Sequence, residues 1–340
     1  MILLKAELVA LAETGLEGLR SAMQAAIELE HATLPPYMYA LYSIRAGTNV
    51  AASRILRSIV MQEMVHLTLC CNILNAIGGV PVLNKPNFIP PYPGPLPGGI
   101  DDGLQVPLAP LSLTLVHDAF MVIEEPEDPL EFPVVEAAML ILPAPKTIGQ
   151  FYARIKEQLQ SLAQTQNIFT GDASRQLTSG LPGVKGVNDL ASAMAAIDLI
   201  VVQGEGTTTT PLDALSEPAH YYRFAEIFHQ RKLVAQVGTP PFAYAGDAVS
   251  FEPAGVLPVI SNPTPALYVG TAAEAMNNAF NHEYTNLLSV LHETFNGDPD
   301  QIDAAIDLMD SVKSLAVALM GQPIAAGQNA GPTFTYRPVA

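Results

Sequence analysis

A chain of 340 residues with 16 basic against 33 acidic side chains carries a formal charge of −17, which repels nucleic acid. Hydrophobic residues make up 49% and charged ones only 14%, so a large core is available to two domains or to one bundle with generous insertions. No run of about 18 apolar residues is free of charges and helix breakers, which argues against a membrane span, and MILLKAELVALAE has acids where a secretion signal would start basic, so a cytoplasmic protein is expected.

The first long helix is predicted over 14–45. Its stripe of Leu16, Leu19, Met23, Ala26, Glu30, Thr33, Tyr37, Leu41 and Ile44 has the spacing of a core-facing surface, interrupted by one acid. Pro35 and Pro36 remove backbone donors one turn later, so a kink is expected just beyond Glu30. After Gly47 and Thr48 a second helix runs to Gly78-Gly79. Its stripe is Ile55, Ile59, Glu63, His66, Cys70, Ile73 and Ile77, with a carboxylate and an imidazole where a core helix carries Leu or Val. Burying an unpaired carboxylate costs on the order of several kcal/mol, a large share of a domain's stability, so a partner is required. Cys70 and Cys71 are neighbours that cannot pair within a helix, which fits a reducing compartment.

Residues 81–110 carry Pro or Gly every few positions and are expected to form an ordered insertion over one end of the bundle. Residues 112–125 have helical spacing at Leu113, Val116, Phe120 and Ile123 and stop at Pro126; the acids Glu124, Glu125, Glu127 and Asp128 read as a solvated cluster. Thr147 is placed as the N-cap of a helix reaching about Gln166. A further helix starts near Val187 and turns Leu190, Met194, Ile197 and Val201 inward, with Glu205 continuing the stripe in its last turn. Beyond Gly206 and four threonines, another begins near Ser216 and presents Glu217, His220, Phe224 and Ile227 on one face. Residues 238–265 are proline-rich, with extended pieces near 248–251 and 256–260. Two amphipathic helices follow, one ending at Asn296-Gly297 and one running from Pro299 to Gly321, and the tail is expected as an extended strap. The domain reading is a bundle over 1–236, with an insertion at about 80–146, and a C-terminal extension over 237–340 packed on it.

The polar interruptions form a set: Glu30, Glu63-x-x-His66, Glu205 and Glu217-x-x-His220. One Glu from each of two helices plus a Glu-x-x-His from each of two others is the ligand set of a dinuclear carboxylate centre in a helical bundle. Four carboxylates neutralise two divalent cations, and an oxygen-rich site with two imidazoles suits iron or manganese. Ser216 and Pro218 also mark a helix start, where an acid such as Glu217 is favoured by the helix dipole alone. His31 points about 100° away from Glu30 and reads as a surface residue. Cys70 reads as a small hydrophobe, and His282, Glu283, His292 and Glu293 as exposed or supporting groups.

The segments AIELEHATLPPYMYALYSI, QEMVHLTLCCNILNAIGG, FMVIEEPE, IGQFY, VVQGEG and HYYRFAEI together resemble the iminophenyl-pyruvate dimer synthase-like group of ferritin-like proteins, over about Leu16 to Ile227. The resemblance implies an all-α, ferritin-like helical bundle with extra C-terminal helices and Pro/Gly-rich insertions. It implies oxidative coupling of imino acids by analogy only. The expected function is a metal-dependent oxidoreductase in which Glu30, Glu63, His66, Glu205, Glu217 and His220 hold two Fe (or Mn) ions that activate dioxygen on a small-molecule substrate. Non-catalytic metal binding or iron handling, and coupling of aromatic imino acids, stand beside it. No nucleic-acid or membrane partner is expected, and a homo-oligomer is compatible with the sequence.

Overall fold

Helix α1 (Gly15–Tyr42) and helix α2 (Val50–Ala76) are the longest elements and pack against each other. The computed structural model describes residues 15–97, 104–126, 129–130, 132, 148–207, 209–325 and 327–338. Thr147, Glu127 and Asp128 lie outside them. Helix α4 (Ile148–Thr165) packs on α1, helix α5 (Leu190–Gly204) packs on α2, and α4 packs on α5, which closes a ring of four helices. The all-α expectation holds, with eight helices and two small hairpins among the described residues.

Helix α3 is one rod built from Leu113–Leu115, Val116–Phe120 and Met121–Ile123, and its middle turn is π-helical. A π turn inside an α-helix often accompanies a functional site, and the residue just past the end of this rod is Glu124. Helix α6 (His220–His229) packs on α2 and α3. It starts at His220, four residues later than the sequence suggests, because Leu212 and Pro218 form a bridge and the Ala219 N–H is held by the Pro211 carbonyl. Glu217 and His220 therefore share no helical face.

Pro35 and Pro36 do not end α1. The donor missing at Pro36 leaves the Ala32 carbonyl without its helical partner, and the Tyr92 hydroxyl donates to it at 2.7 Å. The capping box at α5 is complete: the Asp189 carboxylate accepts the Ser192 N–H, and the Ser192 hydroxyl accepts the Asp189 N–H.

After α6 the chain enters a hairpin, β1 (Arg231–Ala235) with β2 (Phe242–Ala248), antiparallel with Leu233 opposite Tyr244. Strand β2 ends where the sequence suggests that the first extended piece begins. The second expected piece is present as single bridges, Ile44 to Val256 and Val259 to Asn329. Helices α7 (Ala272–Thr294) and α8 (Ile302–Met320) pack against each other, and α8 also reaches α1. Strands β3 (Pro323–Ala325) and β4 (Gln328–Asn329) lead into the tail.

The tail is a strap along α7. Asn277 Oδ1 accepts the Thr333 N–H, Asn281 Oδ1 accepts the Thr335 N–H, and Thr285 Oγ1 accepts the Arg337 N–H. Four residues of helix rise about 6 Å and two extended residues span nearly the same distance, so the two repeats stay in phase. One apolar cluster runs from Leu19 of α1 to Phe334 of this strap.

The cover supplied by α7 and α8 changes how α1 and α2 are buried. Every residue from Leu29 to Tyr37 and from Glu63 to Ile77 is buried, all the way round both helices. A helix buried on all sides has no polar face to read. His31 is accordingly 1% exposed, not at the surface.

Candidate metal centre

Glu30 sits at the middle of α1, and Glu63 and His66 sit one turn apart on α2, where the 3.6-residue repeat aims all three at the space between the helices. Glu124 follows the last residue of α3, and His220 is the first residue of α6. All five are buried. One ligand atom from each of Glu63, His66 and His220 lies within 4.8 Å of the others.

Glu63 Oε1 stands between the two imidazoles, 4.0 Å from His66 Nδ1 and 2.8 Å from His220 Nδ1. On one side, His66 Nδ1 faces Glu30 Oε2 at 3.5 Å. On the other, His220 Nδ1 faces Glu124 Oε2 at 3.6 Å. The rings stack with centroids 5.4 Å apart. Each half repeats the same supports. His66 Nε2 meets Gln203 Oε1 at 3.0 Å and His220 Nε2 meets Gln62 Oε1 at 2.9 Å. The Tyr152 hydroxyl donates to Glu30, the Tyr37 hydroxyl donates to Glu124 at 2.6 Å, and the Thr33 hydroxyl donates to Glu63 Oε2 at 3.0 Å.

These supports fix the tautomers. A glutamine oxygen only accepts, so Nε2 of each ring carries a proton, and in the neutral ring that a metal binds Nδ1 is the lone-pair side. Both lone pairs then point at carboxylate oxygens. His220 Nδ1 is fully buried and, despite its 2.8 Å approach to Glu63, has no aligned hydrogen bond. A histidine whose far nitrogen donates to an oxygen while its near nitrogen faces acids is arranged as a metal ligand.

Without a cation, protons take its place. Burial, followed by the neighbouring charges of Glu124 and Glu30, pushes the Glu63 carboxyl well above its ordinary range. Burial also works against ionising Glu30, but the hydrogen bond and charge of His66 outweigh it and hold Glu30 low. For His66, burial favours the neutral ring, and Glu30 and Glu63 reverse it upward. Three carboxylates in one dry place call for positive charge, which a cation bridging them supplies directly.

The space enclosed is about 30 Å³, lined by Glu30, Glu63, His66, Glu124, Tyr152 and Glu205 and walled by Ile123, Ile148, Ile200 and Val201 among others. It takes ions or a water-sized molecule. Glu205, the residue after α5, lines this space, but its Oε1 accepts the Gly149 N–H at 2.7 Å at the start of α4. A Cβ at position 149 would meet the Glu205 carboxylate, the movable end of its side chain, so a larger residue there displaces that carboxylate.

Glu217 stands apart from the cluster. Its side chain is 59% exposed and pairs with the buried Arg223 guanidinium at 3.1 Å. Glu124 fills the place that the sequence reading gives to Glu217. Its signal is present, since Glu124 falls four residues after Phe120 on the apolar stripe, but Glu125 and the acids beyond it make the run look solvated. Gln62 and Gln203 carry no signal in the sequence at all.

Comparison with known proteins agrees with this fold. A family model described as ferritin-like matches residues 23–229. The dichlorochromopyrrolate synthase of Lentzea aerocolonigenes is 28% identical over 319 residues, which is 82% of this chain but 29% of that protein's length. The crystal structure of a ferritin-like protein from Caulobacter vibrioides superposes with a TM-score of 0.61 at 23% identity, covering 94% of this chain and 97% of the other. That likeness carries the fold. No helix among the described residues is long and apolar enough to cross a membrane.

Proposed function

This chain belongs to the ferritin-like family, and from that premise we propose that it is a dinuclear iron (or manganese) oxidoreductase of a biosynthetic kind, acting with dioxygen on a small molecule. The observation that carries the reading is the doubling of the centre. Glu30 with His66, Gln203 and Tyr152 forms one half, and Glu124 with His220, Gln62 and Tyr37 forms the other. Glu63 lies between them as the shared carboxylate. The donor set of three carboxylates and two neutral imidazoles suits iron or manganese, and Glu205 lines the same space as a further oxygen donor.

Bound metal would supply the redox chemistry and a place for dioxygen. The chain's own part is orientation and exclusion of water. The two tyrosines and Thr33 each fix one oxygen of a carboxylate, the glutamines hold both rings with Nδ1 inward, and the isoleucine and valine wall keeps bulk water out. The similarity to a named synthase supports the biosynthetic class, and coupling of an aromatic imino acid is the substrate reading that the family resemblance implies. One observation favours a second reading, a non-catalytic metal-binding or iron-handling protein: a space of about 30 Å³ holds no aromatic substrate.

Metal analysis of protein purified without chelator separates these outcomes. About two equivalents of iron or manganese per chain support the dinuclear centre, and less than one equivalent overturns it. Incubating the loaded protein in air with an imino acid made by an amino-acid oxidase, followed by mass analysis, tests the reaction. A coupled dimer identifies the oxidase, while loaded protein that yields none leaves the metal-handling reading.

A further inference from the structure

A second cavity lies on the opposite side of α1 and α2, closed by α7 and α8, and its volume is about 780 Å³. Consecutive residues divide between the two cavities. Glu30, Thr33, Glu63 and His66 line the small polar one, while His31, Leu34, Met64 and Leu67 line the large one. The large cavity has the size of small-molecule sites. It opens at Val50, Met61 and Val317, which are 47%, 42% and 45% exposed.

The first guide to an occupant is the body of the cavity. Met38, Met61, Met64 and Met309 line it with leucines and valines, so four of the chain's 11 methionines are gathered here. Unbranched, polarisable thioethers adapt to a flexible alkyl chain, and Tyr42 and Tyr284 are the only phenol rings in the lining. The second guide is charge. Arg45, Arg54, Arg57 and Lys313 line the cavity, against Asp310 as the one acid. Among the described residues these four cations make no ion pair or side-chain hydrogen bond. In a chain with only 16 basic residues and a net charge of −17, four uncommitted cations around one apolar cavity are a local inversion of the whole surface.

We propose that this cavity binds a long-chain alkyl carboxylate, with its chain between α1, α2, α7 and α8 and its headgroup on Arg54 and Arg57. Guanidinium groups pair with carboxylates bidentately, which an uncharged head of the same length cannot use. A second copy of the chain is the poorer occupant, because a two-fold contact would set the same cations against each other. The inference is independent of the metal centre, and its readout needs no metal.

Titration with the fluorescent fatty acid cis-parinaric acid tests it. Saturable binding at one equivalent per chain is expected, displaced by hexadecanoate and at least about tenfold less well by hexadecan-1-ol. The double variant Arg54→Ala/Arg57→Ala should lose about tenfold in affinity with unchanged helical circular dichroism and Tm, since both side chains are exposed. Met61→Trp, also at an exposed position, should block the mouth and weaken binding with all four cations in place. Equal displacement by acid and alcohol, unchanged affinity in both variants, or no saturable binding would each overturn the proposal. So would self-association through this face that excludes the probe, read by sedimentation.

Discussion

Glu124 and Glu217 are both acids beside helix ends, yet they have opposite environments. Glu124 is buried, bonded by Tyr37 and aimed at His220, while Glu217 covers Arg223 from the solvent side. The conservative variants Glu124→Gln and Glu217→Gln should therefore separate. The first is expected to lower bound metal by at least half, because one half of the centre loses its only carboxylate besides the shared one. The second should retain full metal and cost little stability, since an ion pair with one partner mostly in water contributes weakly. Elemental analysis of the two proteins side by side checks both, and equal metal content in them would remove Glu124 from the centre. Gly149→Ala is the matching backbone test. A Cβ there meets the movable Glu205 carboxylate, so Gly149→Ala is expected to shift Glu205 and lower bound metal, read by elemental analysis, while Tm changes little because alanine is the better helix former.

Helices in this chain are started and fastened by local polar groups whose worth can be measured one at a time. Asp189→Ala breaks the capping box of α5 and should cost about 1 kcal/mol in denaturant unfolding. That loss would be felt at the metal centre, because Gln203 and Glu205 lie at the far end of the same helix. The strap offers a second case. Asn281→Ala leaves the Thr335 N–H without its acceptor and removes the donor to Thr333 Oγ1, so a loss of about 1–3 kcal/mol is expected. Proteolysis should then cut within 330–338 before the helices. A strap that stays resistant would mean that its apolar contacts, with Phe334 between Phe280 and Tyr284, hold it without the ladder.

For the molecule as a whole, bound metal and stability should be coupled. Without a cation, Glu30, Glu63 and Glu124 share a buried space with His66 and His220, and the fold bears that cost by holding protons on Glu63 and His66. Removing metal with a chelator should lower Tm by several degrees, and adding iron(II) or manganese(II) should restore it, since a ligand that binds only the folded state stabilises by mass action. A Tm indifferent to metal would count against the centre. The C-terminal helices take part in the same core, so Phe280→Ala should destabilise the whole unfolding transition by about 3–5 kcal/mol without splitting it. A separate early transition would instead mark 237–340 as a unit of its own.

Periodicity alone singled out Glu30, Glu63 and His66, because an acid or imidazole on an apolar helical stripe breaks a pattern that depends only on the 3.6-residue repeat. The same local rule placed most helices of the bundle within a few residues of their observed bounds. It failed where position depends on a distant part of the chain. His31 is buried because α7 and α8 cover the second face of α1, and no local count reports that cover. Glu217 left the cluster because a bridge between Leu212 and Pro218 delays the start of α6. Glu124 entered it because a π turn and Tyr37 bring the end of α3 to His220. A sequence sets which side chains are polar within apolar surroundings, and packing decides which of those meet.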